Sequence, residues 1–221
     1  MRYLKRLSVA EDCGKRITAP PNICEADTMT KTRLEAFSDG VLAIIITIMV
    51  LELRVPHGAD IDALRPLLPV FFCYVLSFIY VGIYWNNHHH MLHTVTHVTG
   101  GVLWANLHLL FWLSLLPFVT GWMGENGFAQ VPTALYGGVL LMSGFAYSIL
   151  QANIIAGEGA GSILAKAVGK DVKGKASLAV YSSAIPLSFL NEWIAQMLYV
   201  FVAFMWLVPD KRIERILQRS R

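Results

Sequence analysis

Two short stretches hold most of the residues in this chain whose types and spacing could do chemistry. The first is Arg33-x-x-x-Phe37-Ser38-Asp39-Gly40, which stands where a long apolar run begins. An ionisable group at the edge of hydrocarbon is costly and faces protein or water rather than lipid. One reading of Ser38 and Asp39 is a helix start, where such side chains cap free N–H groups and complement the dipole. The other is an anchor that ties this helix to its neighbours. Chemistry alone leaves both open.

The second stretch is a histidine cluster, His88, His89, His90, His93 and His97. His89, His93 and His97 share a helical face at i, i+4 and i+8, so metal ligation is geometrically possible. Packing and hydrogen bonding at a membrane interface is the simpler reading. Sensing of pH is a third, because imidazole changes charge near neutrality. Membrane di-iron oxidases need several histidine boxes on different spans, and elsewhere only His57 and His108 occur. No metal or cofactor is therefore expected. Walker loops, nucleophile elbows and zinc-protease strings are absent, so the chain is not expected to be an enzyme. Glu158 sits between Gly157 and Gly159 with no partner in view, and Asn86-Asn87 read as satisfying backbone groups.

The elements that would position these residues follow from composition. Of 221 residues 55% are apolar and only 15% charged, with mean hydropathy +0.52. Soluble domains carry about a quarter charged residues, so lipid is the expected solvent. Each membrane crossing needs around 20 mostly apolar helical residues. Six segments qualify: 34–55, 67–88, 98–123, 131–155, 176–189 and 191–208. The last two are nearly fused, with a turn expected at Ser188-Phe-Leu-Asn191 and Pro186 kinking or ending the fifth helix.

Positive charge orients the set. Seven of the eighteen Lys and Arg lie in the arm up to Arg33, four between spans four and five, and five after span six. Only Arg54 and Arg65 remain for the other side, as the positive-inside rule expects with both termini cytoplasmic. Trp85, Trp122, Trp193 and Trp206 fall near the expected interfaces. Residues 1–30 read as a flexible cytoplasmic arm, with a short amphipathic helix near Tyr3–Val9. Residues 31–208 form an all-α membrane domain of six transmembrane helices, and 209–221 a basic cytoplasmic tail. The arm lacks the continuous apolar core of a signal peptide. Cys13, Cys24 and Cys73 have no metal-ligand spacing and are expected as free thiols. No basic stripe interleaves with aromatics, which argues against nucleic acid.

Along the first helix Ile44, Ile48 and Leu51 follow a +4, +3 spacing and so form one stripe, with Ala43 and Thr47 as a small-residue stripe beside it. Taken alone, an Ile/Leu stripe on a membrane helix reads as lipid-facing or core. The Arg33/Phe37-Ser38-Asp39-Gly40 string, however, resembles the signature of the transmembrane-protein-175 family of potassium channels. Two further strings match in order: Ser77-Phe78 with Trp85, His88 and His89, and Leu109 to Thr120 with Ser114, Pro117 and Phe118. The likeness spans roughly residues 31–207.

That resemblance implies a homotetramer in the cell membrane, with the first helix of each subunit lining a central pore. Potassium ions would be the permeant species and the lipid bilayer and identical subunits the partners. The constriction would be rings of Ile44, Ile48 and Leu51, with the Thr47 hydroxyl contributing to selectivity. Arg33, Ser38 and Asp39 would tie the first helix to spans two and three through His88 or His89 and Asn106 or His108. The expected function is a potassium-selective cation channel conducting passively through a hydrophobic neck. A secondary transporter would favour an internal repeat and charges at mid-span, which this chain lacks. A non-conducting membrane scaffold is the other alternative. Saturable flux marks the transporter, electrodiffusive current the channel, and neither the scaffold.

Overall fold

The computed structural model describes residues 22–159, 161–169 and 171–207, with side chains from residue 31 onward. Helix α1 spans Asn22–Leu51. A 3-10 turn, Ile61–Leu67, leads into α2, Leu68–His93. Helix α3 is Gly100–Ser114, α4 Leu116–Glu125 and α5 Gln130–Glu158. A six-residue helix, α6 (Ile163–Val168), precedes α7 (Val172–Ser188) and α8 (Glu192–Leu207). Every described element is helical, as a lipid solvent requires when each backbone group must find its partner within its own segment.

Four stretches are long and apolar enough to cross a membrane: Lys31–Leu51, Ile61–His93, Gly100–Glu125 and Gln130–Glu158. They coincide with the first four expected spans. Helix α8 is a shorter apolar helix, and α7 has 17 residues. The turn between them falls at Phe189–Asn191. There the N–H of Asn191 donates to the Leu187 carbonyl at 2.9 Å, and Asn191 Oδ1 accepts from the Trp193 N–H. Pro186 lies inside the last turn of α7, where its missing N–H forfeits a bond to the preceding turn just before the helix ends at Ser188.

Two expectations about the elements need correction. The arm assigned to residues 1–30 is helical from Asn22, because α1 runs back past the apolar segment without a break. Pro21 directly precedes that helix, and no further proline interrupts the run to Leu51. The short helix expected at Tyr3–Val9 and the tail at 209–221 lie outside the described residues. The third span is also two helices rather than one. Pro117 enters at the start of α4, where its ring and missing N–H are incompatible with continued pairing to the turn before it. Leu115 therefore closes α3 with N–H contacts to Leu113 and Trp112 carbonyls.

One hydrophobic core joins the helices. Tyr80 and Val81 of α2, Leu109 and Leu113 of α3, Tyr136 and Leu140 of α5 and Tyr199 of α8 are all essentially inaccessible. Where α2 and α4 cross, a Cβ on Gly124 would sit 2.7 Å from Val70 Cα, so the backbones meet only because that residue is glycine. Buried hydroxyls thread the same core. Ser77 Oγ lies 2.7 Å from Thr120 Oγ1 and 3.0 Å from Tyr136 Oη, which joins α2, α4 and α5. Tyr80 Oη donates to the Tyr199 carbonyl and Tyr199 Oη to the Thr133 carbonyl, at 2.6 and 3.1 Å. In apolar surroundings such bonds fix relative helix positions, since an unmade one would go uncompensated.

Candidate functional site

Helix α1 has two faces of opposite fate. Leu34, Ser38, Leu42, Ile45 and Met49 recur at spacings of four, four, three and four and are buried against α2, α3 and α4. On the other side Phe37, Ile44, Ile48 and Leu51 are 52%, 57%, 42% and 79% exposed. Ala43 and Thr47 share that open side. Ile44 and Ile45 are chemically identical neighbours, yet Ile45 is 3% exposed. The helical period alone separates them. A Cβ on Gly40 would meet nothing within 4 Å, so no described residue covers that point either. Beside the open stripe a shallow cleft of about 420 Å³ runs between α1 and the α3–α4 junction, with Glu52, Pro117 and Phe118 in its walls.

Thr47 Oγ1 donates its proton to the Ile44 carbonyl at 2.9 Å. Its oxygen lone pairs are thereby left facing outward. A hydroxyl held in this way can accept but not donate, which suits a cation and not an anion.

The buried stripe is held by a directional relay. Ser38 Oγ donates to the Leu34 carbonyl at 2.9 Å and accepts from Asn106 Nδ2 at 3.0 Å. Asn106 Oδ1 is then the acceptor facing His88 Nε2, 2.7 Å away, so the imidazole carries its proton on Nε2. All three side chains are buried. Asp39 turns the other way, and its Oδ1 accepts from Trp85 Nε1 at 2.9 Å. Ser38 and Asp39 thus connect α1 to α3 and α2, as an anchor would, rather than merely opening a helix that in fact begins far upstream.

Among the residues expected to form this anchor, the structure brings together Ser38, Asp39, His88 and Asn106. The others stand apart. His89 stacks on Trp85 with ring centroids 6.0 Å apart and has no place in the relay. His108 accepts from Trp112 Nε1 one turn along its own helix. Arg33 is exposed, and no ion pair joins it to another described residue. Trp85 was legible as an interfacial anchor and in the family-like string, but not as the partner of Asp39, which lies 46 residues away.

Two further contacts were invisible in the sequence. Glu158, expected to lack a partner, accepts from Thr96 N at 2.6 Å and from Thr96 Oγ1 and His97 N. Lys31 Nζ donates to the carbonyls of His93 and Val95 at 3.1 and 2.9 Å. The α2–α3 connection is therefore gripped from α1 on one side and from the end of α5 on the other. The ring of His89 packs edge-on against those of His90 and His93, with centroids 5.8 and 5.3 Å away.

Apolar helices joined through buried hydroxyl and amide bonds define a polytopic helical membrane protein. Comparison with known proteins makes the class specific. Residues 33–117 match the family described as the endosomal/lysosomal potassium channel TMEM175. A potassium channel of a Chryseobacterium species is 57% identical over 192 residues, covering 87% of this chain and all of that one. A potassium channel of Chamaesiphon minutus is 29% identical over 77% of this chain and 91% of its own length. The crystal structure of a lysosomal potassium-selective channel TMEM175 homolog from Chamaesiphon minutus superposes with a TM-score of 0.73 at 26% identity. It covers 82% of this chain and 98% of that one. The chain belongs to the TMEM175 family, which is a family of ion channels and not of enzymes.

Proposed function

We propose that this protein is a passive, potassium-selective channel in the cell membrane. Four copies surround a central pore lined by α1. In this reading the two shorter helices α7 and α8 also cross the bilayer, giving six spans with both termini cytoplasmic. The names of the bacterial relatives support the ion. The observation that carries the mechanism is the uncovered Ile44–Thr47–Ile48–Leu51 stripe, which lies opposite a stripe buried by the chain's own helices.

Four such stripes facing an axis make successive apolar rings. A narrow apolar ring excludes water and acts as a gate. A cation crossing it sheds part of its shell with little replacement, and potassium gives up that shell more readily than sodium. The outward lone pairs of Thr47 supply partial compensation between the Ile44 and Ile48 rings. The Ser38–Asn106–His88 relay and the Asp39–Trp85 bond hold α1 in rotation, so that Ile44 and Ile48 rather than Ile45 and Met49 face the axis.

The test is ion flux through purified protein in liposomes under equal potassium and sodium gradients. Potassium flux should exceed sodium flux, and Ile44→Ala should raise conductance while narrowing that difference. Unchanged conductance and reversal potential in Ile44→Ala would remove Ile44 from the constriction. Flux that saturates with concentration would replace the channel by a transporter.

A further inference from the structure

A cavity of about 380 Å³ opens away from the α1 face, between α2, α5, α6, α7 and the end of α8. It follows α2 from His90 to Tyr80, ten residues and so about 15 Å of helix. Its walls are aromatic. Tyr80 and Tyr181 pack with centroids 6.3 Å apart and Tyr84 and Tyr147 edge-on at 6.1 Å, while Trp206 closes one side. That volume falls in the range of small-molecule sites, which are mostly apolar with a few placed polar groups.

The charges around the cavity are already engaged. Asp171 caps α7 by accepting from Gly174 N at 3.2 Å. Lys173 Nζ lies over the Trp206 ring, 5.7 Å from its centre. Three neutral polar groups are left to meet a ligand, the Tyr84 hydroxyl and the carboxamides of Asn86 and Gln151, beside the His90 imidazole at one end of the cavity. None of these three has a hydrogen-bond partner among the described residues. Each can both donate and accept. Asp171 and Lys173 are opposite in sign, so the walls offer no net charge and a charged guest would lose hydration for little return. An apolar guest would leave these groups unsatisfied.

We propose that this cavity binds an uncharged heteroaromatic molecule carrying both donors and acceptors on its edge. The ring lies between the tyrosines and Trp206, and its edge faces Gln151, Asn86 and Tyr84. The site is independent of the α1 stripe and stands whether or not the chain conducts.

Saturation-transfer NMR on the full chain in nanodiscs, with four probes, tests this. 2-Quinolinone and adenosine should bind, while naphthalene and naphthalene-2-carboxylate should bind at least ten-fold more weakly. Ser148→Phe, which places a ring in the cavity, should abolish binding of the first two. Gln151→Leu and Tyr84→Phe keep the volume and should each weaken it about ten-fold or more, provided that their melting temperatures match the parent. Naphthalene binding as well as 2-quinolinone would mark a lipid-filled crevice and overturn the proposal. Binding unchanged in Gln151→Leu and Tyr84→Phe, or no binding by either heteroaromatic probe, would also overturn it.

Discussion

Asn106 meets Ser38 on one side and His88 on the other, so one carboxamide joins three helices. Asn106→Leu keeps the volume but strands the Nε2 proton of a buried imidazole. The expected cost is about 1–3 kcal/mol, the penalty for an unsatisfied buried donor. A lowered melting temperature in detergent would show it. Asn106→Gln, which retains both groups on a longer stem, should recover only part of the loss. If Asn106→Leu melts with the parent protein, the relay is not what holds α1. Ser38 and Asp39 are adjacent in sequence but serve different neighbours. A contiguous polar motif can thus act as two separate ties.

At the scale of elements, close approach and clamping matter more than any single bond. Gly124→Ala puts a methyl 2.7 Å from the backbone of Val70, which cannot yield as a flexible side chain would. It should destabilise the protein by about 1–3 kcal/mol, as overpacking does. Gly138→Ala, also in a helix but with open space at its Cβ, is the control and should be neutral or slightly stabilising. Equal melting temperatures for the two variants would contradict so close a crossing of α2 and α4. The α2–α3 connection offers a second test. Glu158→Ala or Lys31→Met releases one side of the grip on residues 94–97. Amide exchange there should quicken about ten-fold or more in each variant while the α5 core stays protected. Unaltered exchange in both would mean that the connection holds itself.

For the whole molecule, the uncovered face of α1 is the central fact. Bulky apolar side chains at 42–79% exposure are ordinary against lipid, so exposure by itself does not distinguish a pore from a lipid-facing helix. Access by water does. Ile44→Cys and Ile48→Cys should react with a membrane-impermeant thiol reagent in conducting protein, and Ile45→Cys should not. With Cys13 and Cys24 replaced by serine, Cys73, which is buried with a free thiol, gives little background. Native mass spectrometry should show four chains per particle. A monomer with unreactive cysteines at 44 and 48 would assign the stripe to lipid.

Hydropathy and local pattern along the chain determined much of this protein by themselves. The first four apolar segments, the turn after Pro186 and the amphipathic split of α1 all follow from local rules of helix period, length and proline chemistry. The Arg33–Gly40 string pointed to the family for a similar reason, since it is a contiguous pattern. Tertiary structure decided what depends on distant partners. It selected His88 over His89 and Asn106 over His108, because a single residue of helical rotation turns a side chain by about 100° and only packing sets that angle. It gave Glu158 its partner in Thr96, 62 residues away. It paired Asp39 with Trp85 and assembled the tyrosine-lined cavity from five helices. Contacts of this kind leave no periodic trace along the chain, because they are properties of how the helices meet.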